Sequence, residues 1–305
     1  QRPTAARNSS ASRWASASWL WCSHCNDCSR PRETRPFQAS TVCHSSTVGS
    51  FACAEADNTR STAARVDAVL GWLTRPDTRR PRFVTLYFST VDHAGHDAGP
   101  ASDAVRAAVL AVDSAVGRLA GGLAAQGLSG RVNVVVISDH GMAETSPDRL
   151  VYLDDYVERN SVDAVGLGAF IGISPRNGDT TGLLRALRAA PHIQVYPRDS
   201  TPESWRYRDN ARIPAIVGVP DEGWLLTTRA AQAAVRNPGT TGAHGFLPTD
   251  TSMHALFIAA GPAFRRGVTV APFRNVHVYE LLCAVLGLQP ALNDGSLDSV
   301  RTILR

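Results

Sequence analysis

The chain has 305 residues, of which 44% are apolar and 19% charged, and this balance excludes an intrinsically disordered protein. The formal net charge is +4, and the 31 basic residues, all of them arginine, form no continuous basic run, so no nucleic-acid platform is predicted. No segment approaches the roughly 20 consecutive apolar residues of a membrane-spanning helix, and we expect no membrane span.

Residues 1–56 differ in composition and periodicity from the rest of the chain. They are rich in Ser, Arg, Cys and Trp, and no sustained period of a helix or strand is present. We interpret this segment as irregular, and as a frame-shifted or misjoined reading of GC-rich coding DNA. Its first residues also lack the succession of basic, apolar and small residues that is typical of a signal peptide. The folded domain is predicted over 57–305.

Three cysteines in this segment, Cys22, Cys25 and Cys28, have the spacing of a zinc knuckle, with His24 between them. A closed zinc site needs four ligands, and no hairpin or helix is predicted to hold them. We therefore favour accidental spacing over a knuckle. A further cysteine, Cys283, falls in an apolar helical stripe and is predicted to lie in the core.

The pattern changes after residue 60. A helix is predicted over 64–73, and residues 82–89 are then typical of a buried strand that leads to Asp92. The next helix begins after Ser102, a favourable N-cap, and its apolar residues recur every three or four positions as far as Leu123.

A second apolar strand is predicted over 132–137, which completes a strand–helix–strand unit. This order predicts an α/β fold with a mainly parallel sheet. Residues of about 151–235 are predicted to form a smaller α+β insertion, with candidate strands at 164–173, 193–196, 215–219 and 224–227 and a helix at 181–190. The parent sheet resumes with a strand over 255–260 and a helix over 276–286.

Two aspartates and three histidines follow these strands, at the edge where ligands gather in parallel sheets. They are Asp92, His96, Asp139, His140 and His244. Neighbouring glycines are expected to turn the backbone tightly, so that the side chains converge. Any one of the five alone is better explained as a loop residue in a turn, but five together favour a site for zinc or manganese over copper. Such a set is what a two-metal phosphate-ester hydrolase requires.

Three stretches carry a family resemblance: Leu86–His96 followed by Gly99-Pro100, Ser138–Met142 and Gly242–Phe246. In order and spacing they resemble the nucleotide pyrophosphatase/phosphodiesterase family, the type I phosphodiesterases of the alkaline phosphatase superfamily. The resemblance implies an alkaline-phosphatase-like three-layer sandwich and hydrolysis of nucleotide phosphodiester or pyrophosphate bonds to nucleoside monophosphates. It also implies a small-molecule nucleotide substrate and a periplasmic or extracellular location.

The resemblance further implies two divalent metal ions, with zinc the best fit. Asp92, His96 and His244 would hold one ion, and Asp139 and His140 would contribute to the other. An additional ligand Asp and a nucleophilic Thr belong to the family pattern, but neither can be placed in this chain. We therefore expect weak or absent turnover.

The resemblance matches Tyr87 to the aromatic residue on which the nucleotide base stacks, while the residues alone allow core packing equally well. Two other readings stay open at this point. The chain could belong to another branch of the superfamily, such as a phosphonate hydrolase or a phosphomutase-like enzyme. It could also be a metal-binding remnant without catalysis.

Overall fold

The computed structural model describes residues 41–43, 51–53, 61–235, 239 and 241–305, all within one compact unit, Ser40–Arg305. The described strands are β1 (Thr41–Cys43), β2 (Phe51–Cys53), β3 (Phe83–Val84), β4 (Val134–Ile137), β5 (Ala143–Thr145), β6 (Leu150–Tyr152), β7 (Val162–Val165), β8 (Ile171–Pro175), β9 (Ile193–Pro197), β10 (Ile216–Pro220), β11 (Leu225–Thr227), β12 (Thr241–Ala243) and β13 (Phe257–Ala260). The described α-helices are α1 (Thr62–Leu73), α2 (Thr90–Ala98), α3 (Asp103–Ala125), α4 (Thr180–Arg188), α5 (Arg229–Ala233) and α6 (Val278–Leu286). The alternation of strands and helices confirms the predicted α/β class.

The first sheet joins β1, β2 and β3, with β1 antiparallel to β2 and β2 parallel to β3. Two of these strands lie within 1–56, the segment predicted to be irregular. The cysteine triplet and His24 fall outside the described residues. The strand predicted over 82–89 is shorter than expected, because only Phe83 and Val84 pair with β2.

Helix α2 corrects one prediction. Residues 92–96 were expected to form a tight glycine turn, but they continue a regular helix that begins at Thr90. The helix ends at Ala98. Gly99 caps it with a φ of 83°, which is costly for other residues, and Pro100 follows. Asp92 and His96 are therefore one helical turn apart and share a face.

Helix α3 begins as predicted, with the Ser102 hydroxyl accepting a hydrogen bond from the Val105 N–H at 3.3 Å. Its Leu119 and Leu123 pack with α1 residues, and Arg118 pairs with Asp67 of α1 at 2.7 Å. Judged by length and composition alone, α3 is long and apolar enough to cross a membrane. The expectation of no membrane span therefore stays a prediction.

Strand β4 was expected at the centre of a parallel sheet, but its described partner is β13, which runs antiparallel to it. Among the described strands, the parallel pairs are β2–β3 and β6–β11. The mainly parallel sheet is thus not reproduced in the described pairings. A core cluster that includes Phe264 and Leu281 packs against residues of β4 and β13. Cys283 of α6 is buried, as predicted.

The insertion forms a four-stranded antiparallel sheet in the order β7-β8-β10-β9. The strand predicted over 164–173 is in fact two strands, β7 and β8, because Gly166 and Gly168 have φ values of 82° and 97° and reverse the chain. Helix α4 packs on this sheet through Leu183 and Leu187. The parallel pair β6–β11 connects the insertion to the rest of the domain.

Candidate metal centre

The structure brings the five predicted residues together from three segments. Asp92 and His96 project from α2, Asp139 and His140 follow β4, and His244 follows β12. Strand β12 pairs with β5, so the segment that carries His244 runs beside the segment that follows His140.

Three of the five residues form a tight group. Asp92 Oδ1 lies 3.4 Å from His96 Nε2 and 3.6 Å from His244 Nε2, and the three ligand atoms are all within 4.8 Å of one another. In a tetrahedral zinc site with bonds of about 2.0 Å, neighbouring ligand atoms are separated by roughly 3.3 Å. The two shorter distances therefore fit ligands of one small divalent cation.

The environment of Asp92 fits a cation independently of these distances. Its Oδ1 atom is buried and has no hydrogen-bond partner in the structure. A buried carboxylate oxygen without a partner is costly, and metal coordination is one of the few ways to compensate for it. The donor set of one carboxylate and two imidazoles is also typical of zinc.

Backbone carbonyl groups orient two of the imidazole rings. His96 Nδ1 lies 2.9 Å from the Gly242 carbonyl oxygen, and His140 Nδ1 lies 2.8 Å from the carbonyl oxygen of Gly141. A carbonyl can only accept, so each Nδ1 carries the proton and each Nε2 keeps its lone pair for a ligand. Gly242 belongs to one of the stretches that carry the family resemblance, but no sequence signature predicts the role of its carbonyl group.

His140 joins the group through its ring. The His140 and His244 rings stack with centroids 3.6 Å apart and planes 17° apart, and His140 Nε2 lies 3.6 Å from Asp139 Oδ2. The Asp139–His140 pair thus lies directly beside the tight group and offers two more donors. Adjacent residues can both contribute because the chain leaves β4 before Asp139.

Burial lowers the pKa of His244 below its ordinary value, and the neighbouring His140 and His96 rings lower it further. The carboxylates of Asp92 and Asp139 act in the opposite direction. A lowered pKa keeps the His244 imidazole neutral near neutral pH, which is the form that coordinates metals.

The ring of Tyr87 lies at the surface, with 43% of the residue exposed, so core packing does not account for it. The Tyr87 carbonyl oxygen accepts a 2.7 Å hydrogen bond from Arg65 Nη1, and the same guanidinium lies 5.2 Å from the Phe88 ring centroid. Arg65 of α1 therefore fixes the segment that leads from β3 into α2.

Residues 3–247 match the sequence model of the family described as "Type I phosphodiesterase / nucleotide pyrophosphatase". The chain is 34% identical over 260 residues to ectonucleotide pyrophosphatase/phosphodiesterase family member 3 of Rattus norvegicus. This alignment covers 79% of this chain and 28% of the rat protein. It is also 34% identical over 250 residues to bis(5'-adenosyl)-triphosphatase enpp4 of Xenopus laevis. This alignment covers 81% of this chain and 54% of the Xenopus protein.

Among solved structures, human ectonucleotide pyrophosphatase/phosphodiesterase 5 matches with a TM-score of 0.74 and 29% identity, covering 81% of this chain and 65% of that one. An inactive form of the murine protein in complex with AMP matches with a TM-score of 0.74 and 31% identity. This match covers 82% of this chain and 65% of the murine chain. This likeness supports the alkaline-phosphatase-like fold. The chain thus spans between about a quarter and two thirds of the length of these relatives.

Proposed function

Because the chain belongs to the type I phosphodiesterase/nucleotide pyrophosphatase family, we propose that it hydrolyses phosphodiester or pyrophosphate bonds of nucleotides to give nucleoside monophosphates. The observation that supports this most directly is the buried, unpartnered Asp92 Oδ1, with two imidazole nitrogens 3.4 and 3.6 Å away. The AMP in the murine structure is consistent with a nucleotide ligand. The family match also favours this activity over a phosphonate hydrolase or phosphomutase.

In this proposal Asp92, His96 and His244 bind one divalent cation, and Asp139 with His140 contributes to binding a second. Zinc fits the donor set best. When bound, such cations supply positive charge that polarises a phosphoryl group and acidifies a coordinated hydroxyl. The Gly242 and Gly141 carbonyl groups would hold His96 and His140 in the tautomer whose Nε2 binds the cation.

The exposed ring of Tyr87 is proposed to stack on the nucleotide base. Arg65 would support it indirectly, because its hydrogen bond to the Tyr87 carbonyl fixes the backbone there. Tyr87→Ala should weaken AMP binding measured by calorimetry with zinc present, whereas Tyr87→Phe should bind as the wild type does. Equal affinity of all three proteins would argue against this role.

The relatives named ectonucleotide pyrophosphatases support an extracellular or periplasmic location. We propose that nucleotide hydrolysis is impaired in this chain, with weak or absent turnover, because the sequence analysis places no nucleophilic threonine. Hydrolysis of a nucleotide 4-nitrophenyl ester, with zinc added, measures this directly. Robust saturable hydrolysis would support the family activity and contradict the expected impairment.

Metal content separates the enzyme from the alternative of a metal-binding remnant. Mass spectrometry of the purified protein after zinc loading should give two ions per chain if both donor groups bind. One ion per chain favours the remnant, and its loss in His244→Ala would assign it to the tight group. A chain that retains no zinc after removal of excess metal contradicts the proposal.

A further inference from the structure

Two glycines face one another where α2 meets β12. A Cβ atom placed on Gly242 would overlap the carbonyl oxygen of Gly95, so the two backbones approach more closely than any side chain would permit. Both glycines are buried. Gly95 directly precedes His96, and Gly242 lies two residues before His244.

The side chain of Met142 fills the space beside this contact and touches both glycines. A Cβ on Gly95 would lie 3.0 Å from Met142 Cε and 3.3 Å from its Cγ, and a Cβ on Gly242 would lie 2.9 Å from Cγ and 3.0 Å from Sδ. The thioether thus lies against both elements that carry the tight group. Met142 itself belongs to the Asp139–Met142 segment, whose His140 ring stacks on His244.

The separation between α2 and β12 matters for cation binding. Asp92 and His96 move with α2, whereas His244 moves with β12, so the distance of 3.6 Å from Asp92 Oδ1 to His244 Nε2 depends on how closely these elements pack. Metal–ligand distances tolerate changes of about 0.2 Å. A shift of a few tenths of an ångström between the two elements would therefore weaken coordination.

We propose that Met142 is a positioning residue for the Asp92–His96–His244 group, and that its thioether acts as a spacer that sets the separation of α2 and β12. This inference rests on the proposed function, since it presumes that the group binds a cation. Met142 touches no cation or substrate in this role and acts only through the two glycine segments. An unbranched, flexible side chain suits such a narrow gap between two backbones.

If Met142 had a purely structural role, its replacement would have different effects on stability and cation binding. Removing a packed side chain would then lower thermal stability and leave the cation site unchanged. In the same way, Gly95→Ala would lower stability alone, because its added methyl group would lie 3.0 Å from Met142 Cε in a buried contact. A spacer role predicts that both substitutions change the site itself.

The test uses Co²⁺ bound to the full chain in place of zinc, because its visible absorption spectrum reports ligand geometry. Met142→Ala should weaken Co²⁺ binding by about 10- to 100-fold, the range for residues that orient metal ligands, and should alter the spectrum. Met142→Leu conserves the volume and should restore affinity to within about threefold. Gly95→Ala should weaken binding by about tenfold and alter the spectrum, because its methyl group would press on Met142.

Two controls separate positioning from general stability. Gly71→Ala changes a glycine of α1 that has no atom within 4 Å of its added methyl group, and Co²⁺ binding should be unaffected. Leu187→Ala removes a fully buried side chain from the insertion core, so it should lower the melting temperature but keep the Co²⁺ spectrum.

The outcomes are distinct. If the wild-type chain binds no Co²⁺, the proposed function fails and this inference fails with it. If the wild type binds Co²⁺ and Met142→Ala has the same affinity and spectrum, only the spacer role is overturned. Should Met142→Ala be too unstable to purify, Gly95→Ala decides, because an unchanged spectrum there also overturns the inference.

Discussion

Replacing Asp92 by asparagine should abolish most cation-dependent stabilisation while leaving the metal-free protein no less stable. The Asp92 Oδ1 atom is buried without a hydrogen bond and lies 3.4 Å from His96 Nε2, which is unprotonated in the tautomer that the Gly242 carbonyl favours. Asparagine has nearly the same shape but no charge. It therefore removes an unfavourable contact from the metal-free state and a charged ligand from the bound state.

The size of the effect follows from mass action. At a zinc concentration of 100 times Kd, binding stabilises the folded state by about 2.7 kcal/mol. A domain of this size changes its Tm by roughly 2–4 °C per kcal/mol, so the wild type should gain roughly 5–11 °C. Loss of a direct ligand should weaken affinity by at least about 100-fold, and the same zinc concentration then adds only about 0.4 kcal/mol, or roughly 1–2 °C.

Thermal unfolding followed by circular dichroism, with and without zinc, measures both quantities. Asp97→Asn provides the matched control, because it makes the same charge change on an exposed position of α2. This control should keep the full zinc-dependent shift. A shift in Asp92→Asn as large as that of the wild type would refute the assignment of Asp92 as a ligand.

Three further predictions concern the fold and its pH dependence. Leu187→Ala should destabilise the chain by about 2–5 kcal/mol in urea unfolding, because it empties a fully buried position in the insertion core; a loss under about 1 kcal/mol would contradict that packing. Thr145→Val should cost about 1–3 kcal/mol, measured in the same way, because the buried Thr145 hydroxyl lies 2.9 Å from Thr241 Oγ1 and the substitution leaves that partner unpaired. The Arg118 guanidinium lowers the pKa of Asp67, so this pair contributes stability above the ordinary pKa of 3.8 and loses it as the pH falls through the lowered value. Asp67→Asn should therefore be less stable than the wild type at neutral pH, with the gap closing in acid; a gap independent of pH would exclude the ion pair as its cause.

Local signals in the sequence predicted α1, α3, α4 and α6, but neither α2 nor α5. Ser102 and the three-and-four spacing of apolar residues placed α3 at its observed start, because capping and amphipathic periodicity act within a few residues of one another. The five candidate site residues were predicted from their positions after strands, and their role as ligands stays a prediction. Their convergence is visible in the distances from Asp92 to His96 and His244.

The sequence-based predictions were wrong where pairing between segments distant along the chain decides the structure. The sequence of β4 is apolar throughout, which suits a central parallel strand, but its partner β13 lies more than 100 residues away and runs antiparallel. The turn predicted at Gly95 is instead part of α2, and the close contact of this glycine with β12 has no local signature. Gly166 and Gly168 divide β7 from β8, whereas the apolar pattern predicts one continuous strand across them.

The parallel pairing of β6 and β11 has a consequence for how this domain could be shortened. The chain leaves β6 at Tyr152 and returns at Leu225, and both strands then run in the same direction. A two-residue hairpin cannot link strands of this orientation, which need a crossover of about a dozen residues or more. The segment between them is therefore itself the crossover, and a minimised protein would have to replace it with a bridging helix or loop of that length.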